Sequence, residues 1–179
     1  MKPNWFIGWP VSAGAWWQHV PEPPRGIRRF HPQDLHITLA FLGAVSESDA
    51  RRAWERLPPP PSFEISLGRV VPMGNPRRYS ALSALLDRGR ESVENWMALH
   101  RPDALAHAGA PPARHGIMAH CTLARPQRRT SEAARQAALR WASELEVSTE
   151  SLHLGQLALY TWSRDRKHRL FRIVASHEP

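Results

Sequence analysis

Cysteine is almost missing. Cys121 is the single cysteine in 179 residues, which excludes an intrachain disulfide and a cysteine-rich zinc site. That usage fits a reducing compartment. Lysine is nearly as scarce: only Lys2 and Lys167 occur, so the positive charge is carried by arginine. No apolar run approaches the ~20 residues of a membrane-spanning helix. The opening stretch Met1-Lys2-Pro3-Asn4-Trp5-Phe6-Ile7-Gly8-Trp9-Pro10 is too short and too interrupted for a secretory signal. These absences lead us to expect a soluble, cytoplasmic protein.

The formal charge is +8 at pH 7, so a polyanionic partner is expected. The length suits one domain, or one tightly joined unit of two lobes. Alternating or continuous apolar runs predict strands over residues 5–9, 27–30, 35–42, 63–67, 79–86, 118–124, 152–162 and 170–175. A short helix is expected over residues 12–20, before the Pro21-Glu22-Pro23-Pro24 breaker. Ser46-Glu47-Ser48-Asp49 has the spacing of a capping box ahead of a helix with Ala50, Ala53, Trp54 and Leu57 on one face. Pro58-Pro59-Pro60-Pro61 stops that helix. Val93, Trp96, Met97 and His100 have helical spacing, and Leu105 to Arg114 reads as a loop. Thr130 is placed to cap a last helix bearing Ala134, Ala137, Ala138, Trp141 and Leu145. Leu152 and Leu154 differ in parity from Leu157 and Leu159, which predicts a bulge near Gly155-Gln156. Trp9, Trp54, Trp96 and Trp141 are expected in the core.

Within this order one pattern occurs twice. Leu35-His36-Ile37-Thr38-Leu39-Ala40 is echoed by Ala119-His120-Cys121-Thr122-Leu123-Ala124. In a strand, residues i and i+2 share a face. His36 therefore projects with Thr38, and His120 with Thr122, while Leu35, Ile37, Leu39, Cys121 and Leu123 turn toward a core. By the same parity Phe41 should pack with Ile37 and Leu39. Two imidazoles and two hydroxyls meeting on one small anion suit metal-free cleavage of a phosphoester. One neutral and one protonated imidazole supply the base and the acid, because the unperturbed pKa is about 6.5. Hydroxyl donors stabilise the charge on phosphorus. Cys121, on the core face, reads as a packed small residue rather than a nucleophile. The other histidines lack such neighbours. No close histidine pair suggests a metal, so no metal or cofactor is expected.

The blocks Asp34-Leu35-His36-Ile37-Thr38-Leu39-Ala40-Phe41-Leu42-Gly43 and His120-Cys121-Thr122-Leu123-Ala124-Arg125 resemble the two-histidine (2H) phosphoesterases. Within them, the bacterial RNA 2′,3′-cyclic phosphodiesterases, also called 2′-5′ RNA ligases, are the nearest match. Residues 5–10 look like that family's opening strand, and Leu159-Tyr160 with the basic turn after it like its closing hairpin. The resemblance spans nearly the whole chain. It implies an α+β fold of two similar lobes, with antiparallel sheets around a central cleft and an approximate two-fold axis. Residues 1–179 would form a single bilobal domain. It further implies His36 and His120 as the acid–base pair and Thr38, Thr122 and Arg125 as phosphate ligands. Family precedent makes His36 the acid on the departing O3′ and His120 the activator of water, giving a 2′-phosphate. RNA ends or nucleotides with a 2′,3′-cyclic phosphate are the implied partners, with no membrane and a monomeric protein. Two departures stand out: Met118 and Ala119 precede the second motif where the family has an aromatic residue and proline, and residues 164–169 are charged where the family has glycine. Arg164, Arg166, Lys167 and Arg169 form either a solvated turn or an RNA-contacting rim. The alternative to an enzyme is a nucleotide- or RNA-binding module with the same fold and little turnover.

Overall fold

The computed structural model describes residues 2–147 and 151–177. Among these, ten strands and four α-helices alternate as β1 (Trp5–Pro10), α1 (Ala15–Gln18), β2 (Ile27–Arg29), β3 (His36–Gly43), α2 (Glu47–Glu55), β4 (Phe63–Ile65), β5 (Leu67–Met73), β6 (Ala81–Leu86), α3 (Arg90–His107), β7 (His120–Pro126), α4 (Glu132–Ser143), β8 (Leu152–Leu154), β9 (Ala158–Trp162) and β10 (Phe171–Ser176). The fold is α+β. Its main sheet runs β10-β9-β1-β3-β7-β6-β5, with β2 beside β7, and β4 pairs β8 in a separate ribbon. All these pairings are antiparallel.

The two motif strands lie at the centre of this sheet. β3 and β7 meet only through Ile37 and Cys121. Beyond that point β2 takes over the same edge of β7, pairing residues 124–126. The sheet is thus two antiparallel halves, one built on β1 and β3 and the other on β6 and β7, hinged at one residue pair. Helices α2, α3 and α4 pack on these strands. Ile7, Trp9, Ile37, Leu39, Cys121 and Leu123, all fully buried, form the core. Trp9 meets Trp96 of α3 edge-on at 5.5 Å. The opposite face carries the polar members of both motifs.

Several local expectations change. Helix α3 does not stop before Leu105. It continues through Pro102 to His107, because burial of Ala104, Leu105 and Ala108 outweighs the hydrogen bond that proline cannot make. Helix α1 is a single turn, shorter than expected. Residues 63–67 are two strands that enter different sheets, β4 and β5. Residues 152–162 likewise divide into β8 and β9. The parity change near Gly155 is therefore a switch between sheets, not a bulge. Ser131, not Thr130, caps α4, accepting from the Ala134 amide. The Thr130 hydroxyl bonds the carbonyls of Gly26 and Gln127 instead. Ser46 caps α2 as expected. Trp9 and Trp54 are buried, whereas Trp96 and Trp141 are only partly covered.

Candidate active site

Each motif strand carries a bulge at the leucine after its threonine. On β3, Ile7 pairs Ala40 and Gly8 pairs Thr38, which leaves Leu39 as the extra residue. On β7, Leu82 pairs Ala124 and Ser83 pairs Thr122, which leaves Leu123 extra. An extra residue reverses the facing of everything beyond it. Leu39 and Ala40 both turn to the core, as do Leu123 and Ala124, and all four are buried. The next residues, Phe41 and Arg125, are returned to the face that bears His36, Thr38, His120 and Thr122. Phe41 is thus not a core residue. It lies opposite Phe6 and is 59% exposed. Simple alternation would have sent Arg125 away from the histidines, and the bulge brings it back to them.

The histidines are held alike. His36 Nδ1 lies 2.6 Å from the Asp34 carbonyl, and His120 Nδ1 lies 2.7 Å from the Met118 carbonyl. A carbonyl only accepts, so each Nδ1 carries its proton and donates. Among the described residues neither Nε2 has a hydrogen-bond partner. His36 is set among Phe6, Tyr160 and Phe171, with ring centroids at 4.6, 5.4 and 5.3 Å. Burial pushes its pKa down to about 4, aided by the charges of Arg125 and His120 and opposed by the Asp34 hydrogen bond. His120 is half-buried. Its pKa is also lowered, first by burial and then by Arg101 and Arg125, against its bond to Met118. Burial therefore disfavours the protonated form of both rings.

Residues far away in sequence support this pair. Ser83 is fully buried, and its Oγ lies 3.0 Å from Thr122 Oγ1. Asp34, also fully buried, accepts the amides of Leu170 and Phe171 at 2.6 and 3.0 Å. It ties the start of β3 to the start of β10. Arg101 of α3 donates from Nε to the Leu39 carbonyl at 2.8 Å, at the bulge. Gly8 faces Thr38, and a Cβ there would lie 2.4 Å from the Ile37 carbonyl oxygen. Arg125 extends over Phe30 at 5.3 Å. Sequence reading did not find Ser83, Arg101 or Gly8 as parts of the site. Met118, which stands where the resembled family has an aromatic residue or proline, is 42% exposed. Among the described residues no group of three or more histidine, cysteine, aspartate or glutamate side chains is arranged to hold a metal ion.

The arrangement can bind an anion and move two protons. The family model "LigT like Phosphoesterase" matches residues 13–82, which include His36 and Thr38. An RNA 2′,3′-cyclic phosphodiesterase of Bacillus subtilis strain 168 is 30% identical over 140 residues, covering 70% of this chain and 72% of that protein. The chain belongs to the LigT-like phosphoesterase family. The fold agrees. Escherichia coli LigT, crystallised with 3′-AMP, superimposes with a TM-score of 0.70 at 19% identity, over 98% of each chain. The TT0787 protein of Thermus thermophilus does so with a TM-score of 0.62 at 16% identity, over 97% of this chain and 96% of that one. As a LigT-like phosphoesterase the chain is placed within the 2H superfamily. No described helix is long and apolar enough to cross a membrane.

Proposed function

We propose that this phosphoesterase opens 2′,3′-cyclic phosphate ends of RNA to 2′-phosphates, using His36 and His120 as its acid–base pair. One observation carries the proposal. Two imidazoles, each fixed through Nδ1, present free Nε2 atoms on the same face of adjoining strands, beside two threonines and an arginine. One ring takes a proton from water as its oxygen attacks phosphorus. The P–O3′ bond breaks, and the other ring gives its proton to O3′. Thr38, Thr122 and Arg125 hold the non-bridging oxygens as charge builds there.

Burial disfavours the protonated form of both rings, and the reaction needs one proton between them. An anion between the rings raises both pKa values. An RNA 5′-hydroxyl in place of water would form a 2′-5′ linkage by the same step. Both proton carriers are side chains, so no metal is needed. The fixed tautomers and free Nε2 atoms favour turnover over a module that only binds.

The test is the incubation of purified protein with 2′,3′-cyclic AMP in EDTA. The expected product is 2′-AMP alone. A 3′-phosphate product, or activity that vanishes in EDTA and returns with zinc or manganese, would overturn the proposal.

A further inference from the structure

Beside the histidine pair lies a second, strongly basic feature that the proposed chemistry does not use. Arg28 of β2 pairs in register with Arg125 of β7, so both lie on the same face of the sheet. The Arg28 guanidinium donates to the carbonyls of Arg166 at 2.9 Å and Lys167 at 3.1 Å. This fork clamps the turn between β9 and β10 over β2. The Arg166 guanidinium lies over Trp162 at 4.2 Å.

A concave opening of about 630 Å³ adjoins the clamp, lined by Trp17, Arg28, Phe30, His31, Lys167 and His168 among others. Phe30 is the ring beneath Arg125, so the opening begins where the phosphate site ends. Its volume falls in the range of about 300–1,000 Å³ typical of small-ligand pockets.

The nearby carboxylates are committed elsewhere. Glu22 pairs Arg29, Asp165 pairs His168, and Asp34 is bonded to the Leu170 and Phe171 amides. No ion pair with Arg125, Arg166 or Lys167 occurs among the described residues. Arg125 is held below the usual arginine value by burial first and by the Arg166 charge second. Cations gathered this closely without acidic partners repel one another, and a polyanion relieves that repulsion.

We propose that the basic turn beside this opening forms a second phosphate subsite. It holds the phosphodiester on the 5′ side of a cyclic-phosphate RNA end. Arg166 and Lys167 meet the phosphate. The proposal rests on the function proposed above and extends it to substrate length: oligonucleotide ends should be preferred to mononucleotides.

The test compares 2′,3′-cyclic AMP with a four-nucleotide RNA ending in a 2′,3′-cyclic phosphate, for the whole protein and for Arg166→Ala/Lys167→Ala. Each phosphate contact on a single strand adds about −0.7 to the slope of log affinity against log salt, roughly a threefold loss between about 50 and 200 mM. We expect a higher kcat/KM and a steeper salt slope for the oligonucleotide. In the double variant that slope should flatten by about 0.7–1.4, while mononucleotide turnover stays within about twofold. Parallel salt slopes for the two substrates in the unaltered protein would overturn the subsite, as would equal losses on both in the variant. If the unaltered protein opens neither substrate, the proposed function fails. RNA binding, followed by fluorescence anisotropy, then decides the subsite separately: weaker, less salt-sensitive binding in the variant supports it, and unchanged binding overturns it.

Discussion

Replacing Ser83 by alanine tests how the site aims its phosphate donors. Ser83 Oγ is fully buried, and among the described residues its one side-chain partner is Thr122 Oγ1 at 3.0 Å. A buried hydroxyl proton needs an acceptor. Either hydroxyl can donate in this pair; with Ser83 as the donor, the Thr122 proton is left for a phosphate oxygen, and that is the arrangement under test. Ser83→Ala removes one oxygen and leaves the shape of the strand pair unchanged. The Thr122 hydroxyl is then free to rotate and spend its proton elsewhere. A buried hydrogen bond of this kind is worth about 0.5–1.5 kcal/mol net. Taking about 1 kcal/mol, kcat/KM on 2′,3′-cyclic AMP should fall about fivefold. The assay is release of 2′-AMP, followed chromatographically, in a double-mutant cycle with Thr122→Val. Thr122→Val alone should cost about 1.5–3 kcal/mol, the worth of a hydrogen bond to a charged group. In that background Ser83→Ala should cost nothing further. An equal loss in both backgrounds would mean that Ser83 only supports the fold, and no loss in either would refute the aiming argument.

Three other outcomes are expected. The kcat/KM profile reports the free protein, in which burial holds both histidines below 6.5 and His36 near 4; the state with one ring protonated and one neutral is most populated between those values. The profile should therefore be a bell with its maximum below pH 6.5, and a maximum at pH 8 would contradict the burial argument. Phe41→Ala should raise KM for cyclic AMP by about 1–3 kcal/mol of lost stacking and leave kcat near its original value; an unchanged KM would mean that Phe41 touches no base. Gly8→Ala should force β3 away from β1 at Ile37, because the new Cβ would lie 2.4 Å from that carbonyl oxygen. The melting temperature and kcat/KM should fall together, and a variant with both unchanged would show that β3 can yield there.

The two motif strands were legible because alternation of apolar and polar residues is local, and both expected strands, at residues 35–42 and 118–124, form at the centre of the sheet. The pairing of their histidine faces followed from the same alternation. The facing of Phe41 did not follow, because the bulge at Leu39 depends on β1, which is remote in sequence. The bulge at Leu123 acts on Arg125 in the same way. Alternation alone would misplace Arg125, and only its resemblance to a family residue brought it to the site. Ser83 and Arg101 had no signal at all. Each sits in an element whose own pattern reports only burial, and each gains meaning from a neighbour supplied by another element. The division of residues 152–162 into β8 and β9 was hidden for the same reason, since the sheet a strand joins is chosen by its partners.

The central claim is that two histidines on two strands share one proton-transfer task. It is tested most directly by single-turnover opening of a cyclic-phosphate-ended RNA with the unaltered protein, His36→Ala and His120→Ala, each first shown to be folded by circular dichroism. Each substitution should slow the step by at least ~10²-fold, the usual worth of general acid–base catalysis. Each should also abolish one limb of the pH profile. If either folded variant opens the RNA at the original rate, the two-histidine account is contradicted.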